Sequence, residues 1–361
     1  MYDVIISGCG VAGGYLAGLL DGLDVLVLEK NMNVTLKDSG LVSSAFKRFA
    51  DPKLIQSKVY SMKAISPSGI SFMLNSKKPF AYILKREMFS RFLRRRARAN
   101  GELRYEAARK ITYSKNGVTA ETENGTHEGK MIIGADGTFS TVRRSLGIKL
   151  PHMYPGIFVR SEKKLRADTI EVYLNKFYSP DFFSWIIPQT KEYGIMTGIR
   201  PKNNFEYFKK SLNLPDGRVY SSYIPIGYCK SYAKRTLLVG DACGQVKPLT
   251  GGGIMFSMRA AKHAAYTIKL ASEKGRFDGN FLSRYEILWK RELAWEIRRQ
   301  LLLRKIYRGL TNRDIDKVFI TFGHSISKIN EFDYDKLTGI WKQLPKTALL
   351  KFAVSKLPLI F

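Results

Sequence analysis

The sequence predicts an α/β fold that carries an inserted, mainly antiparallel β-sheet subdomain and ends in a helical C-terminal region. Three observations carry that expectation. A strand, a glycine turn, an Ala-rich helix and a second strand follow one another within the first 30 or so residues. An apolar strand running into an acid and glycines then recurs twice, at Ile133–Gly137 (IGADG) and at Leu238–Gly253 (LVGDACGQVKPLTGGG). Between those two segments, the residues from about 150 to 225 break into short β-prone runs punctuated by Pro and Gly.

In chain order, Tyr2–Ser7 (YDVIIS) reads as a buried strand, AGGYLAGLL as a helix and Asp24–Glu29 (DVLVLE) as a second strand. A polar loop follows, then β-rich sequence near residues 57–75. Lys85–Ala99 is a strongly basic helix whose apolar side is read as Met88, Phe89, Phe92 and Leu93. Hairpin-like sequence over Lys115–Gly129 precedes the strand Lys130–Gly134. The earlier pattern returns at Thr236–Gly240 and continues into a helix from about Ile254 to Glu273, after which the chain is mostly helical. These readings divide the chain into a discontinuous nucleotide-binding domain (1–150 and 230–275), a substrate subdomain (151–229) and the helical region (276–361). Part of the 45–85 segment is assigned to the substrate sheet.

The 361 residues hold 60 Lys and Arg against 31 Asp and Glu, a formal charge of +29. Such a surface attracts an anionic membrane, polymer or small partner. Cys9, Cys229 and Cys243 lie too far apart in sequence for a metal-type pair, and His127, His152, His263 and His324 show no triad or ligand spacing. No metal is therefore expected, and cysteine usage indicates a reducing compartment. A strand opening at Tyr2 leaves no basic leader ahead of the fold, and no apolar run reaches the roughly 18–20 residues of a spanning helix. Membrane contact, on this reading, is peripheral.

Gly8, Gly10 and Gly13 form G-C-G-V-A-G between strand and helix. The first glycine permits a tight turn, the second lets backbone approach a pyrophosphate, and the third lets helix and strand pack closely. Helix N–H groups then face the phosphates, and Glu29 at the end of the second strand is suited to accept hydrogen bonds from an adenosine ribose. Glycine spacing alone does not separate NAD from FAD. The two later acid–glycine segments favour FAD: Asp241 is positioned for ribityl or ribose hydroxyls, with capping of the following turn as the structural alternative. Gly251, Gly252 and Gly253 mark a second close approach of backbone to ligand. Together they read as a Rossmann-like FAD-binding fold.

On these motifs the chain resembles the FAD-dependent geranylgeranyl reductase family (archaeal digeranylgeranylglycerophospholipid reductase-like), within the para-hydroxybenzoate hydroxylase-like flavoproteins. The resemblance spans residues 2 to about 270. It implies a cofactor set of Gly8, Gly10, Val11, Ala12, Gly13, Glu29, Lys30, Arg86, Asp136, Gly240, Asp241, Pro248, Gly251, Gly252, Gly253 and Ile254. The family's aromatic signature is similar to Phe183-Ser184-Trp185-Ile186-Ile187-Pro188, which implies that Phe183, Trp185, Ile187 and Pro188 line a cavity for an isoprenoid chain. Period-two alternation puts Phe183, Trp185 and Ile187 on one side of a strand, where ordinary sheet core is the alternative. The chain departs from the family in two places. The loop after the acidic strand end reads Lys37-Asp38-Ser39-Gly40-Leu41-Val42-Ser43-Ser44, with serine where relatives hold cysteine. Phe183 stands where tyrosine is commonest.

What the resemblance implies is reduction of isolated double bonds in geranylgeranyl chains of archaeal membrane lipid precursors, by hydride from reduced flavin plus a proton. Ser39, Ser43 and Tyr223 are the candidate proton donors. Implied partners are a geranylgeranylated phospholipid or related prenyl substrate, an external electron donor such as ferredoxin or a reduced nicotinamide system, and an anionic membrane surface. No nucleic acid is expected. The protein is placed in the cytoplasm, peripherally on the cytoplasmic face of the membrane, with Arg91–Arg98 and Leu349–Phe361 as docking surfaces. Two alternatives stay open: a flavin-dependent halogenase or hydroxylase, and a non-catalytic flavin-containing nucleic-acid-binding module.

Overall fold

The computed structural model describes residues 1–34, 36 and 38–336. The C-terminal docking segment Leu349–Phe361 and Lys37 of the serine-bearing loop lie outside the described residues. The chain forms two compact units, each assembled from three stretches: Met1–Leu36, Lys85–His152 and Pro225–Ile297 in the first, and Lys37–Leu84, Met153–Ile224 and the chain from Arg298 in the second. Elements are numbered along the whole chain.

The first unit is built on an eight-stranded sheet. Its strands are β1 (Tyr2–Ser7), β2 (Val25–Leu28), β8 (Glu102–Arg104), β9 (Lys110–Tyr113), β10 (Val118–Glu121), β11 (Thr126–Gly134), β17 (Tyr232–Ala233) and β18 (Thr236–Leu238). The order β17-β18-β11-β1-β2-β8 is parallel from β18 to β8, and β9 and β10 form an antiparallel flap on the N-terminal part of β11. Central strands of a parallel sheet are covered on both faces, so β1 and β2 read as unbroken apolar runs. Val4, Ile5, Ile6 and Val25 through Leu28 are all at most 1% exposed. The helices are α1 (Val11–Ala17), α2 (Arg86–Ala99), α3 (Thr141–Ser145), α5 (Ile254–Lys274) and α6 (Gly279–Trp289). In α2, Phe89 and Leu93 are buried, but Met88 is half exposed. The sequence reading of its apolar face is corrected there, because the buried stripe runs through positions 86, 89, 93 and 97 and leaves 88 on its flank.

The second unit holds a seven-stranded sheet in the order β16-β12-β15-β14-β13-β5-β6. These are β16 (Arg218–Ile226), β12 (His152–Arg160), β15 (Glu192–Met196), β14 (Ser184–Ile187), β13 (Ile170–Tyr173), β5 (Ser61–Ile65) and β6 (Ser71–Asn75). Only the β13–β5 pair among the registers described is parallel. A smaller antiparallel sheet joins β3 (Leu41–Ser43), β7 (Ala81–Leu84) and β4 (Ile55–Val59). The helices are α4 (Pro201–Ser211), α7 (Trp295–Gly309, which begins in the first unit) and α8 (Asn312–Ser327). The sequence reading of 150–225 as β-prone runs contained no α4. Its two buried anchors, Phe205 and Phe208, look like strand residues until they meet the cluster of Val159, Ile186, Tyr193 and Ile195 at helical spacing.

Candidate active site

In the first unit three glycine motifs distant in sequence meet. Gly8 ends β1 with φ of +98°, and a Cβ there would sit 2.5 Å from the carbonyl oxygen of Ala135 and 2.9 Å from Asp136 Cα. At Gly13 a Cβ would stand 1.9 Å from Gly8 O and 3.1 Å from Ala135 Cβ. Gly240, with φ of +70°, turns against α1 and α5, where a Cβ would meet Ala12 Cβ at 2.8 Å and Ser257 Oγ at 2.9 Å. A Cβ at Gly253 would lie 3.0 Å from Asp241 Oδ1, which brings the triple-glycine loop up to the second acid.

Gly10 differs from these neighbours in a way that tests the fit of a dinucleotide. Nothing lies within 4 Å of a Cβ built on it, and the residue is exposed. Packing within the protein does not require glycine there, whereas a phosphate resting against the backbone does. Among the described residues no acid and no side-chain cap occupies the first turn of α1. Glu29 Oε2 accepts from Cys9 N at 2.8 Å and Oε1 from Asn31 N at 2.9 Å, so the carboxylate is fixed at the lip of the glycine turn with acceptor capacity left on each oxygen. Lys30 beside it is exposed, Val11 is half-buried and Ala12 is buried.

Asp136 Oδ2 accepts from Thr141 N at 2.7 Å and Val142 N at 3.4 Å, while Oδ1 is shielded and has no hydrogen-bond partner. Burial raises this carboxyl above its ordinary value. Arg86, the first residue of α2, is buried with its guanidinium 5.4 Å from the Phe89 ring centroid. The turn at Asp241 is braced by residues that sequence reading missed. Gly240 N donates to Gln245 Oε1 at 2.7 Å, Gln245 Nε2 donates to the Tyr285 hydroxyl at 2.9 Å, and Tyr285 donates to Leu238 O at 3.0 Å. Beyond it, Lys247 N donates to Gly252 O and Gly251 N to Lys247 O, closing the loop that holds buried Pro248 and leads into Ile254 at the start of α5. The lysine side chain is itself buried, with Cε 2.8 Å from where a Gly252 Cβ would stand.

The aromatic segment lies in the second unit. β14 alternates as its sequence does: Trp185 and Ile187 join a cluster with Val59, Phe80, Ile83 and Ile170, and Ile186 joins the cluster on the opposite side. Phe183 precedes the strand with its ring 5.7 Å from that of Trp185, and Pro188 begins a short 3-10 turn. Ile187 is buried, while Phe183 and Trp185 are half-buried. The indole lies across β15, where a Cβ on Gly194 would be 2.6 Å from Trp185 Cζ2. Trp185 Nε1 donates to Glu192 Oε1 at 3.1 Å, and Arg160 pairs with Glu192 Oε2 at 3.1 Å while donating to Asp38 O. Glu192 has no exposed surface, and burial pushes its carboxyl up to about 7 against the pull of Arg160 and Trp185.

The candidate hydroxyls fall in different surroundings. Ser43 Oγ is buried and donates to Asp335 Oδ2 at 2.7 Å, and Ser39 Oγ accepts from Leu41 N at 3.4 Å. Leu41 packs on the same cluster as Trp185, so the serine-bearing loop and the aromatic strand share one neighbourhood. Tyr223 is half exposed on β16, separated from β14 by β12 and β15. Glu192, Arg160 and Asp335 gave no signal in sequence, because each acts through a partner brought close by strand register or from far along the chain.

No family model matches the chain. It is 29% identical over 385 residues to digeranylgeranylglycerophospholipid reductase 2 of Methanothermobacter thermautotrophicus, covering 95% of this chain and 97% of that one. It is 30% identical to an uncharacterized protein of Methanocaldococcus jannaschii, covering 92% and 90%. Among solved structures, a geranylgeranyl bacteriochlorophyll reductase-like protein of Thermoplasma acidophilum superposes with a TM-score of 0.83 at 22% identity, over 99% of this chain and 96% of that one. The halogenase PltM, solved with phloroglucinol and FAD, follows at a TM-score of 0.67 and 17% identity, over 90% and 80%. The converging glycine motifs and these likenesses define an FAD-dependent oxidoreductase. Within that class, the chain belongs to the geranylgeranyl reductase family.

Proposed function

We propose that the protein saturates isolated double bonds in the geranylgeranyl chains of an archaeal-type phospholipid precursor. The observation that carries this reading is the match, along 95% of the chain, to a relative named for that lipid, joined to the half-buried aromatic pair Phe183 and Trp185. An unactivated alkene offers no group to hydrogen-bond, so an apolar wall that excludes water and fixes orientation is the chemistry it needs.

Bound and reduced, FAD supplies the hydride. Gly8, Gly10, Gly13, Glu29, Arg86, Asp136, Asp241 and the Gly251–Gly253 loop are the residues we assign to holding it, with Val11, Ala12, Lys30, Gly240, Pro248 and Ile254 shaping the same surfaces. Phe183, Trp185, Ile187 and Pro188 are assigned to the substrate wall, and the Glu192–Arg160 pair to fixing the indole. The proton is assigned to Ser43 or Ser39, with Tyr223 as the more remote hydroxyl. Reducing equivalents come, on this reading, from ferredoxin or a reduced nicotinamide system, and the +29 surface docks on anionic lipid at the cytoplasmic face. Among the described residues no helix is long and apolar enough to cross a membrane.

The test is mass spectrometry of a geranylgeranylated archaeal phospholipid incubated without oxygen with the purified protein and chemically reduced FAD. Successive gains of about two mass units per saturated bond are expected. Intact double bonds beside fully reduced bound flavin would refute the reading, and substrate-dependent oxygen consumption would point to hydroxylation or halogenation.

A further inference from the structure

Around α7 the second unit gathers cations beneath its surface. Arg304 on α7 is 5% exposed, with its guanidinium carbon 4.0 Å from the centroid of Phe182 and 4.2 Å from that of Tyr154. The Tyr154 hydroxyl hydrogen-bonds to it, but Nη2 is shielded from solvent without a partner. Lys176 Nζ donates to the carbonyls of Pro180 and Tyr307, each at 2.8 Å, and sits 4.0 Å from the Tyr307 ring centroid. The Tyr307 hydroxyl is a second shielded polar atom without a partner. Arg308, one turn beyond Arg304 and exposed, acts on both cations.

Among the described residues the carboxylate that acts on both cations is Asp181, whose oxygens already accept from Thr197 Oγ1 at 2.6 Å and from Gly198 N. A buried cation without a counter-charge is costly, and the usual escape is loss of a proton. Burial does lower Lys176 to about 8, but a guanidinium keeps its proton. A site that holds Arg304 rigid between two ring faces, leaves one of its donors open and sets a free phenol nearby is built to be completed by an anion. The ring of Phe182 that stacks on Arg304 lies 5.1 Å from Phe183, itself 5.7 Å from Trp185, so an aromatic row runs from the cation to the indole. Phe177, next to Lys176 in sequence, is exposed.

We propose that Arg304, Lys176 and Tyr307 bind the phosphate group of the prenyl substrate, and that the row Phe182–Phe183–Trp185 receives the isoprenoid units nearest that phosphate. The assignment rests on the reductase reading above and adds to it the end of the substrate that the protein grips.

The test is thermal melting of the FAD-loaded protein with inorganic diphosphate, geranylgeranyl diphosphate and geranylgeraniol, since a ligand bound only by the folded state raises Tm by mass action. Geranylgeranyl diphosphate is expected to raise Tm at concentrations at least about tenfold below inorganic diphosphate. Arg304→Gln is expected to abolish the response to both while leaving the unliganded Tm equal or higher, because it removes an unpaired buried charge. Arg304→Lys and Lys176→Met serve as second variants, with a weakened response expected from each. A wild-type response from Arg304→Gln would overturn the site, and equal affinity for the two diphosphates would overturn the lipid assignment in favour of a free anion. Turnover separates this from the parent reading: in Arg304→Gln the loss in kcat/KM on the diphosphate should exceed the loss on geranylgeraniol by at least about tenfold, and equal losses on the two would overturn the phosphate assignment. Failure of the wild-type protein to saturate either compound refutes the reductase reading and with it the prenyl identity of the ligand.

Discussion

Gly10 and Gly13, three residues apart, are glycine for different reasons. Gly13 is required by the protein, since a methyl group would drive into Gly8 O. Gly13→Ala is therefore expected to cost roughly 3 kcal/mol or more in a melt without flavin, as severe overpacking does. Gly10→Ala adds its methyl group to open space, and its FAD-free melt should stay within about 1 kcal/mol of wild type while FAD affinity falls by at least about tenfold. A flavin titration of both variants checks the contrast; equal effects on melting would sink it. Glu192 sets a second expectation. Its carboxyl titrates near 7 in the folded protein against an ordinary value of 4.5, so the folded state holds the proton more tightly than the unfolded one. Stability from this group is full below about 4.5 and is lost as pH climbs to 7, by roughly 2–3 kcal/mol. Glu192→Gln removes the titrating group and should flatten the unfolding free energy across that window, which denaturant titrations at several pH values measure.

At the scale of elements, β15 is shaped around its neighbour. Gly194 opposes Trp185 in the β14 register, and the indole occupies the space a side chain there would fill. Gly194→Ala is expected to destabilise by about 1–3 kcal/mol and to shift the emission of Trp185, with Trp185→Phe as the spectral control; an unchanged spectrum would show that the ring does not depend on that gap. Period-two alternation made β14 legible from sequence, and the glycine motifs made β1, α1 and the turn at Gly240 legible, because each is a local pattern whose period or turn chemistry is written in adjacent residues. What was not legible depends on distant partners. The Gln245–Tyr285 brace joins residues 40 apart, and Ser43 meets Asp335 across 292 positions. Helix α4 was hidden for a related reason, since Phe205 and Phe208 fit a short apolar run of either kind until the sheet they cover is known.

Across the whole molecule, charge is the property that composition announces and single contacts do not explain. Ion pairs such as Arg104–Glu102 and Lys110–Glu121 are exposed and leave most of the basic excess unspent. Sedimentation with vesicles should accordingly show binding to anionic lipid that weakens at least about tenfold between about 50 and about 300 mM salt, and little binding to neutral vesicles. Salt-independent binding would assign the contact to apolar insertion instead. The assembly of each unit from three separate stretches has a consequence for biosynthesis. β1 and the glycine turn leave the ribosome well before the segments they close against, since β1 pairs with β11, β11 pairs with β18, and Gly240 closes against Ala12. The cradle we assign to flavin thus has its last wall translated after some 240 residues, so cofactor capture belongs to the late, slow, long-range stage of folding. Until β18 is made, β11 waits with one edge of an apolar strand unpaired, and a cell short of flavin would meet this protein first as a chaperone client.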